Sequence, residues 1–278
     1  MWCTGSCMAI GRRHVQVLLL ITFSWSWTLW LVARSIEDGS TGPDNTSGYL
    51  IVAGSFGPFI GSLVCSFLAG GRTEMARLFR RLLPIRSNWK SLLLACYVFV
   101  PAVALHAVVY GHGNLAAVAS NIGMMILLPL VALFSIATGP VGEEFGWRGV
   151  LLPYFLERLP AAQASTYVGA VWALWHAPLW MFVDFRSGLS IQTFAPIYVL
   201  SILAVSFVFT WLHLRSGGNI TVALLAHGAF NSSILPLEAL REQNIFTQST
   251  AWPFVFATSI TGLFALSRLV RRSEPANS

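Results

Sequence analysis

Charge is what this sequence has least of. Lys, Arg, Asp and Glu together make up 10% of its 278 residues, against roughly 25% in soluble domains. With 55% hydrophobic residues and a mean hydropathy of +0.67, an ordinary water-soluble domain is excluded and a membrane protein is implied. Cysteine is almost as scarce. The four present, Cys3, Cys7, Cys65 and Cys96, have no metal-ligand spacing, so they read as small buried or inert thiols. There is no internal repeat and no low-complexity linker, which argues for a single domain. No HExxH pair occurs, so that route to a zinc site is closed.

What is present is a series of long apolar runs. A membrane-crossing helix needs about 20 such residues, and eight segments qualify: 15–33, 49–70, 91–110, 118–138, 163–183, 191–213, 219–236 and 251–270. The fold class expected is all-α, a polytopic bundle of about eight transmembrane helices around a polar cavity. The stretch 139–160 is too polar for a simple span; it extends the fourth helix or forms a re-entrant or interfacial piece. The first run follows Arg12 and Arg13 but is longer than a signal-peptide core of roughly 7–15 residues, and no small-x-small site closes it. It is read as a retained span.

The few cations orient the bundle. With both termini inside, the inner face carries Arg12 and Arg13. A basic loop at 71–90 adds Arg72, Arg77, Arg80, Arg81, Arg86 and Lys90, and Arg148, Arg158, Arg215, Arg268, Arg271 and Arg272 lie on the same side. That is 14 of the 17 Lys and Arg residues, the bias that the positive-inside rule expects. The net charge of +6 then belongs to topology and anionic lipid, and nucleic acid is not expected as a partner.

An ionisable side chain at membrane depth costs a few kcal/mol or more unless paired or facing a wet cavity, so such residues point to function. Three clusters qualify. In VGEEFGWRG (141–149), Glu144 and Arg148 stand four apart on one helical face and can pair. Glu143 is turned about 100° away and is left for another partner, as suits an acid/base residue beside a fixed support. In WALWHAP (172–178), His176 precedes Pro178, which removes the helix partner of the Leu174 carbonyl and predicts a kink. Beyond Gly217-Gly218-Asn219-Ile220, His227 and Asn231 share a face at i,i+4. The bland alternatives are a salt bridge, a packing histidine and an interhelical hydrogen bond. The recurrence of two carboxylates, an arginine, two histidines and an asparagine on neighbouring helices favours a catalytic cavity. His14 and His112 lie in a tail and a loop, and His106 and His213 near span ends, where an interfacial imidazole costs little.

These residues resemble the motifs of the CPBP family of intramembrane proteases, also called the CAAX-protease or ABI family, which includes the type II CAAX prenyl endopeptidase. EExxxR is matched by Glu143, Glu144 and Arg148; an aromatic residue followed by xxxH by Trp172 and His176; HxxxN by His227 and Asn231. The resemblance covers roughly 118–240, so the chain divides into N-terminal spans with the basic loop (1–117), a catalytic-type core (118–240), and a last span and tail (241–278). It implies peptide hydrolysis at the cytoplasmic side of the cell membrane, acting on membrane-associated peptides or proteins, possible CAAX-type prenylated ones included. Glu143 would be the base that activates water, His176 a holder of that water, and His227 and Asn231 the oxyanion donors. Glu144, Arg148 and Trp172 would support them. No cofactor is favoured. The alternative is zinc on Glu143, His176 and His227, since two histidines and a glutamate make a familiar catalytic site. A non-catalytic membrane role, such as bacteriocin immunity or scaffolding, is the reading from another class.

Overall fold

The computed structural model describes residues 10–37, 46–82, 89–101, 126, 128–186, 188–232 and 251–271. Among these there is helix and no strand, in keeping with the expected all-α bundle. Three helical stretches are long and apolar enough to cross a membrane: Arg12–Ile36, Thr46–Arg80 and Ile191–Arg215. Ile220–Ser232 and Thr258–Val270 are shorter apolar helices. Much of the expected spans 91–110 and 118–138, and the end of 219–236, lies outside the described residues.

Helix α1 (Arg12–Glu37) packs against α2 (Thr46–Gly54) and α3 (Gly57–Arg80). It belongs to the core: the Trp27 indole N–H donates to the Trp175 carbonyl at 2.9 Å, and Trp30 lies 4.6 Å from the Trp175 ring. Small residues make the closest contacts. A Cβ at Gly57 would sit 2.2 Å from Ser26 Oγ, and one at Gly61 2.8 Å from the Leu18 carbonyl. A GxxxG stripe of this kind lets two backbones meet directly where solvent cannot drive association.

The expected basic loop at 71–90 is largely helix. The chain breaks at Gly70 and Gly71, where Gly71 takes φ +61°, then re-enters helix as far as Arg80. Glu74 and Leu78 are buried on one face while Arg72 and Arg80 are exposed on the other. This i,i+4 amphipathic pattern holds the segment against the bundle as a helix. Residues 83–88 lie outside the described residues, and α4 (Trp89–Tyr97) follows.

After α5 (Leu128–Ser135), Gly139 and Pro140 open the short helix α6 (Pro140–Gly146). It continues as a π-helical turn, Trp147–Leu151, and then α7 (Leu152–Leu156). The polar stretch at 139–160 is thus a broken helix, buried within the bundle from Gly142 to Leu152 and more exposed beyond. Helix α8 (Ala161–Trp175) stops well short of the expected span end at 183, because Pro178 cannot supply the N–H that the Leu174 carbonyl requires. A 3-10 turn, Ala177–Met181, replaces it, so the expected kink is a helix end. Helices α9 (Ile191–Arg215), α10 (Ile220–Ser232) and α11 (Ala251–Arg271) complete the fold. α9 packs against both α8 and α11, and α10 against α4 and α5. His213, expected at an interface, is buried in α9. Cys65 and Cys96 are buried free thiols, as the sequence suggested.

Candidate active site

Helix α6 is wedged against the start of α3. A Cβ at Gly142 would lie 2.3 Å from the Ser55 carbonyl oxygen, and one at Gly146 2.5 Å from Pro58 Cβ. Those two glycines let the backbone of α6 touch the neighbouring chain, which turns Glu143 and Glu144 inward. Both are buried, and so are Arg148, Trp172, His176 and His227. Three of the motifs separated in sequence therefore meet in one place.

The glutamates divide as helical spacing predicts. Arg148 Nη1 donates to Glu144 Oε1 at 3.0 Å, and both side chains are fully buried. Arg148 also lies against two aromatic rings, with its guanidinium carbon 4.6 Å from the Trp172 ring centroid and 4.7 Å from that of Phe209. The two centroids are 5.9 Å apart, so the rings form a corner around the cation, a contact that suits the planar, weakly hydrated guanidinium better than an ammonium. Glu143 takes a different partner: the Trp172 indole N–H donates to its Oε2 at 2.5 Å.

His227 joins the two carboxylates. Its Nδ1 is 2.8 Å from Glu144 Oε1, which already accepts from Arg148, and its Nε2 is 4.0 Å from Glu143 Oε1. An ionised carboxylate only accepts, so Nδ1 carries the proton and Nε2 faces the Glu143 side. His176 is fixed in the same sense, with Nδ1 2.9 Å from the Trp172 carbonyl, itself only an acceptor. Its ring sits among Trp30, Trp172, Trp175, Phe185 and Tyr198. Each imidazole is thus oriented by its Nδ1 and offers its Nε2.

Asn231 is the exception. It lies one turn beyond His227 on α10 but is exposed, and among the described residues no hydrogen bond ties its side chain to the two glutamates or histidines. Glu144 Oε2 and Arg148 Nε and Nη2 are buried with no protein partner. Polar atoms so placed mark a spot that an ordered water can occupy. Among the described residues, no three His, Cys, Asp or Glu side chains form a group that could hold a metal ion.

Sequence reasoning missed two parts of this arrangement. Phe209, the second face against Arg148, reads as one more apolar residue of α9. Arg81, assigned to a basic loop, directs its guanidinium into the interior. Its Nη1 donates to the Gly149 carbonyl at 2.7 Å, Nη2 to that of Arg148 at 3.0 Å, and Nε to that of Gly218 at 3.0 Å. Only Pro153, four residues after Gly149, hinted that a carbonyl there would want an outside donor.

A buried carboxylate held by an indole, next to a second carboxylate paired with an arginine and a histidine, can take up and release a proton, and it lies where the backbone is irregular. Comparison with known proteins gives it a family. Residues 124–233 match the model of type II CAAX prenyl endopeptidase Rce1-like proteins. Over 231 residues the chain is also 25% identical to "CAAX prenyl protease 2" of Methanococcus maripaludis, the alignment covering 79% of this chain and 83% of the relative. The matched segment contains every motif residue named above. The proteins it resembles are peptidases, and the similarity makes this chain a hydrolase acting on a peptide or protein. With its apolar helices, the chain is an integral membrane protein.

Proposed function

We propose that the protein is an intramembrane endopeptidase in which Glu143 activates water against a peptide bond of a membrane-anchored substrate. The observation that carries this reading is the unequal treatment of two adjacent buried glutamates. Glu144 is neutralised by Arg148 and bonded to His227, whereas among the described residues Glu143 is held by the Trp172 indole at Oε2 and has its Oε1 4.0 Å from His227 Nε2. In the reaction, Glu143 takes a proton from water as the water oxygen bonds to the scissile carbonyl carbon. The same proton then passes to the amide nitrogen, and the C–N bond breaks. His176 Nε2 accepts a hydrogen bond from the attacking water. His227 stabilises the oxyanion by donating from Nε2 when its ring is protonated on both nitrogens, with Glu144 as its counter-charge. One such donor is worth roughly 3–4 kcal/mol at the transition state. Asn231 would be the second donor. Its exposed position suits a residue that meets substrate as it enters from the end of α10.

The substrate proposed is a membrane-associated peptide or protein, and the names of the relatives support one with a C-terminal C-a-a-X sequence whose cysteine carries a prenyl chain. The plasma membrane is the proposed location, with both termini cytoplasmic in accord with the distribution of Lys and Arg.

Detergent-purified protein should cleave an internally quenched peptide ending in a farnesylated C-a-a-X box, and Glu143→Gln should reduce kcat by about a thousandfold or more while the protein still folds. Wild-type turnover by Glu143→Gln would show that the base is misassigned. If a glutamate alone activates the water, exhaustive chelation should leave kcat within about twofold of the untreated value; loss of activity with recovery on adding zinc would favour the metal alternative on Glu143, His176 and His227. A cellular phenotype that survives replacement of both Glu143 and His227 by alanine would point to a non-catalytic role.

A further inference from the structure

We infer that Arg81 is a positioning residue for the catalytic pair, a role that rests on the peptidase reading and that its charge alone does not suggest. The argument begins with unpaired carbonyls. In the π turn at Trp147–Leu151, the Leu152 N–H bonds to the Trp147 carbonyl. The Arg148 carbonyl therefore loses its α-helical donor, and its π-helical donor would be residue 153. The Gly149 carbonyl looks to the same residue at i+4. Residue 153 is proline and has no N–H. Two adjacent carbonyls in a buried turn are thus left needing donors, at a cost of about 1–3 kcal/mol each if unmet.

Arg81 supplies both, with Nη1 on Gly149 and Nη2 on Arg148, 2.7 and 3.0 Å away. Its Nε donates to the Gly218 carbonyl at 3.0 Å, and its own carbonyl accepts from the Ile220 N–H, the first residue of α10, at 2.9 Å. Thr221 Oγ1 adds a bond to the Leu82 carbonyl at 2.6 Å. The turn that makes this possible is glycine-dependent, since Gly217 and Gly218 take φ +67° and +84°, and a Cβ at Gly218 would approach Arg81 Nη2 to 3.4 Å. One guanidinium therefore ties the root of the helix bearing His227 to the turn bearing Arg148. Glu144 is the residue to which both of their side chains bond. Displacing either root misaligns the Glu144–His227 contact, and through His227 the ring nitrogen that faces Glu143. Lysine cannot replace this, because three carbonyls in three directions need the five donors of a fork.

The test uses full-length protein in detergent, the farnesylated peptide above, and ¹⁵N-histidine NMR, in which His227 is identified by the signal lost in His227→Asn. Arg81→Met should lower kcat about ten- to hundredfold, with KM within about twofold, and should move the His227 Nδ1 signal. Arg81→Lys should fall between. Pro153→Ala, which restores an N–H to the turn, should recover part of the kcat lost in Arg81→Met. A kcat for Arg81→Met within twofold of wild type would overturn the inference. So would an unmoved His227 signal in a folded Arg81→Met protein. Should that variant fail to fold, Arg81→Lys carries the same test, and wild-type kcat with an unmoved signal in it would refute the positioning role. If the wild-type protein does not cleave the peptide, the peptidase reading fails for that substrate. The His227 signal still decides the part played by Arg81.

Discussion

Arg148→Met should be among the most destabilising single substitutions in this protein, and its cost can be worked from the geometry. The guanidinium is fully buried, 3.0 Å from Glu144 and against two rings at 4.6 and 4.7 Å. Methionine keeps much of the stem's volume but removes the cation, leaving Glu143 and Glu144 side by side with only His227 to offset them. Removing one partner of a buried pair costs about 3–5 kcal/mol. Loss of the desolvated cation–π contacts adds roughly 1–2 kcal/mol, for a total of about 4–7 kcal/mol. At about 2–4 °C per kcal/mol for a large domain, the melting temperature should fall by about 8–28 °C, read by far-UV circular dichroism of detergent-solubilised protein at a fixed scan rate. The second arm is decisive. Glu144→Gln/Arg148→Met removes the orphaned charge and keeps an amide oxygen in place of the carboxylate, still able to accept from His227 Nδ1. It should therefore be more stable than Arg148→Met alone, by about 1–3 kcal/mol. If Arg148→Met melts within about 2 °C of wild type, or the double variant loses the sum of the two single effects, the buried pair is not what holds the site.

Trp172→Phe keeps a ring against Arg148, Phe209 and His227 but deletes the donor to Glu143 Oε2. A hydrogen bond to a charged group is worth about 1.5–3 kcal/mol, so kcat should fall roughly ten- to hundredfold with the fold intact; an unchanged kcat would mean that the indole does not orient the base. Gly142→Ala places a methyl where the Ser55 carbonyl oxygen stands, 2.3 Å away. The protein should lose about 1–3 kcal/mol as α6 shifts from α3, and kcat should drop with it. A thermal midpoint and kcat equal to wild type would show that the contact yields freely.

How much of this was legible in the sequence differs from element to element. The pairing of Glu144 with Arg148 was, because four residues on a helix bring side chains to one face whatever surrounds them. So was the end of α8 near His176, since a proline without an N–H acts locally, although the sequence suggested a kink and the helix in fact stops. The choice of Glu143 as the glutamate left for another partner followed from the same periodicity. The nature of that partner did not, because Trp172 is 29 positions away and only the packing of α6 against α8 brings its indole to the carboxylate.

Arg81 shows the boundary most clearly. In the sequence it is one cation in a basic stretch, and a rule about membrane orientation accounts for it. Local physics determined that the chain is helical, lives in a membrane and carries ionisable side chains at membrane depth, because composition, periodicity and the chemistry of single residues act over a few positions. Tertiary structure alone decided which groups from separate helices touch. A π turn, a proline and two left-handed glycines leave carbonyls from separate helices pointing at one place, and only there does a single guanidinium have three acceptors to hold.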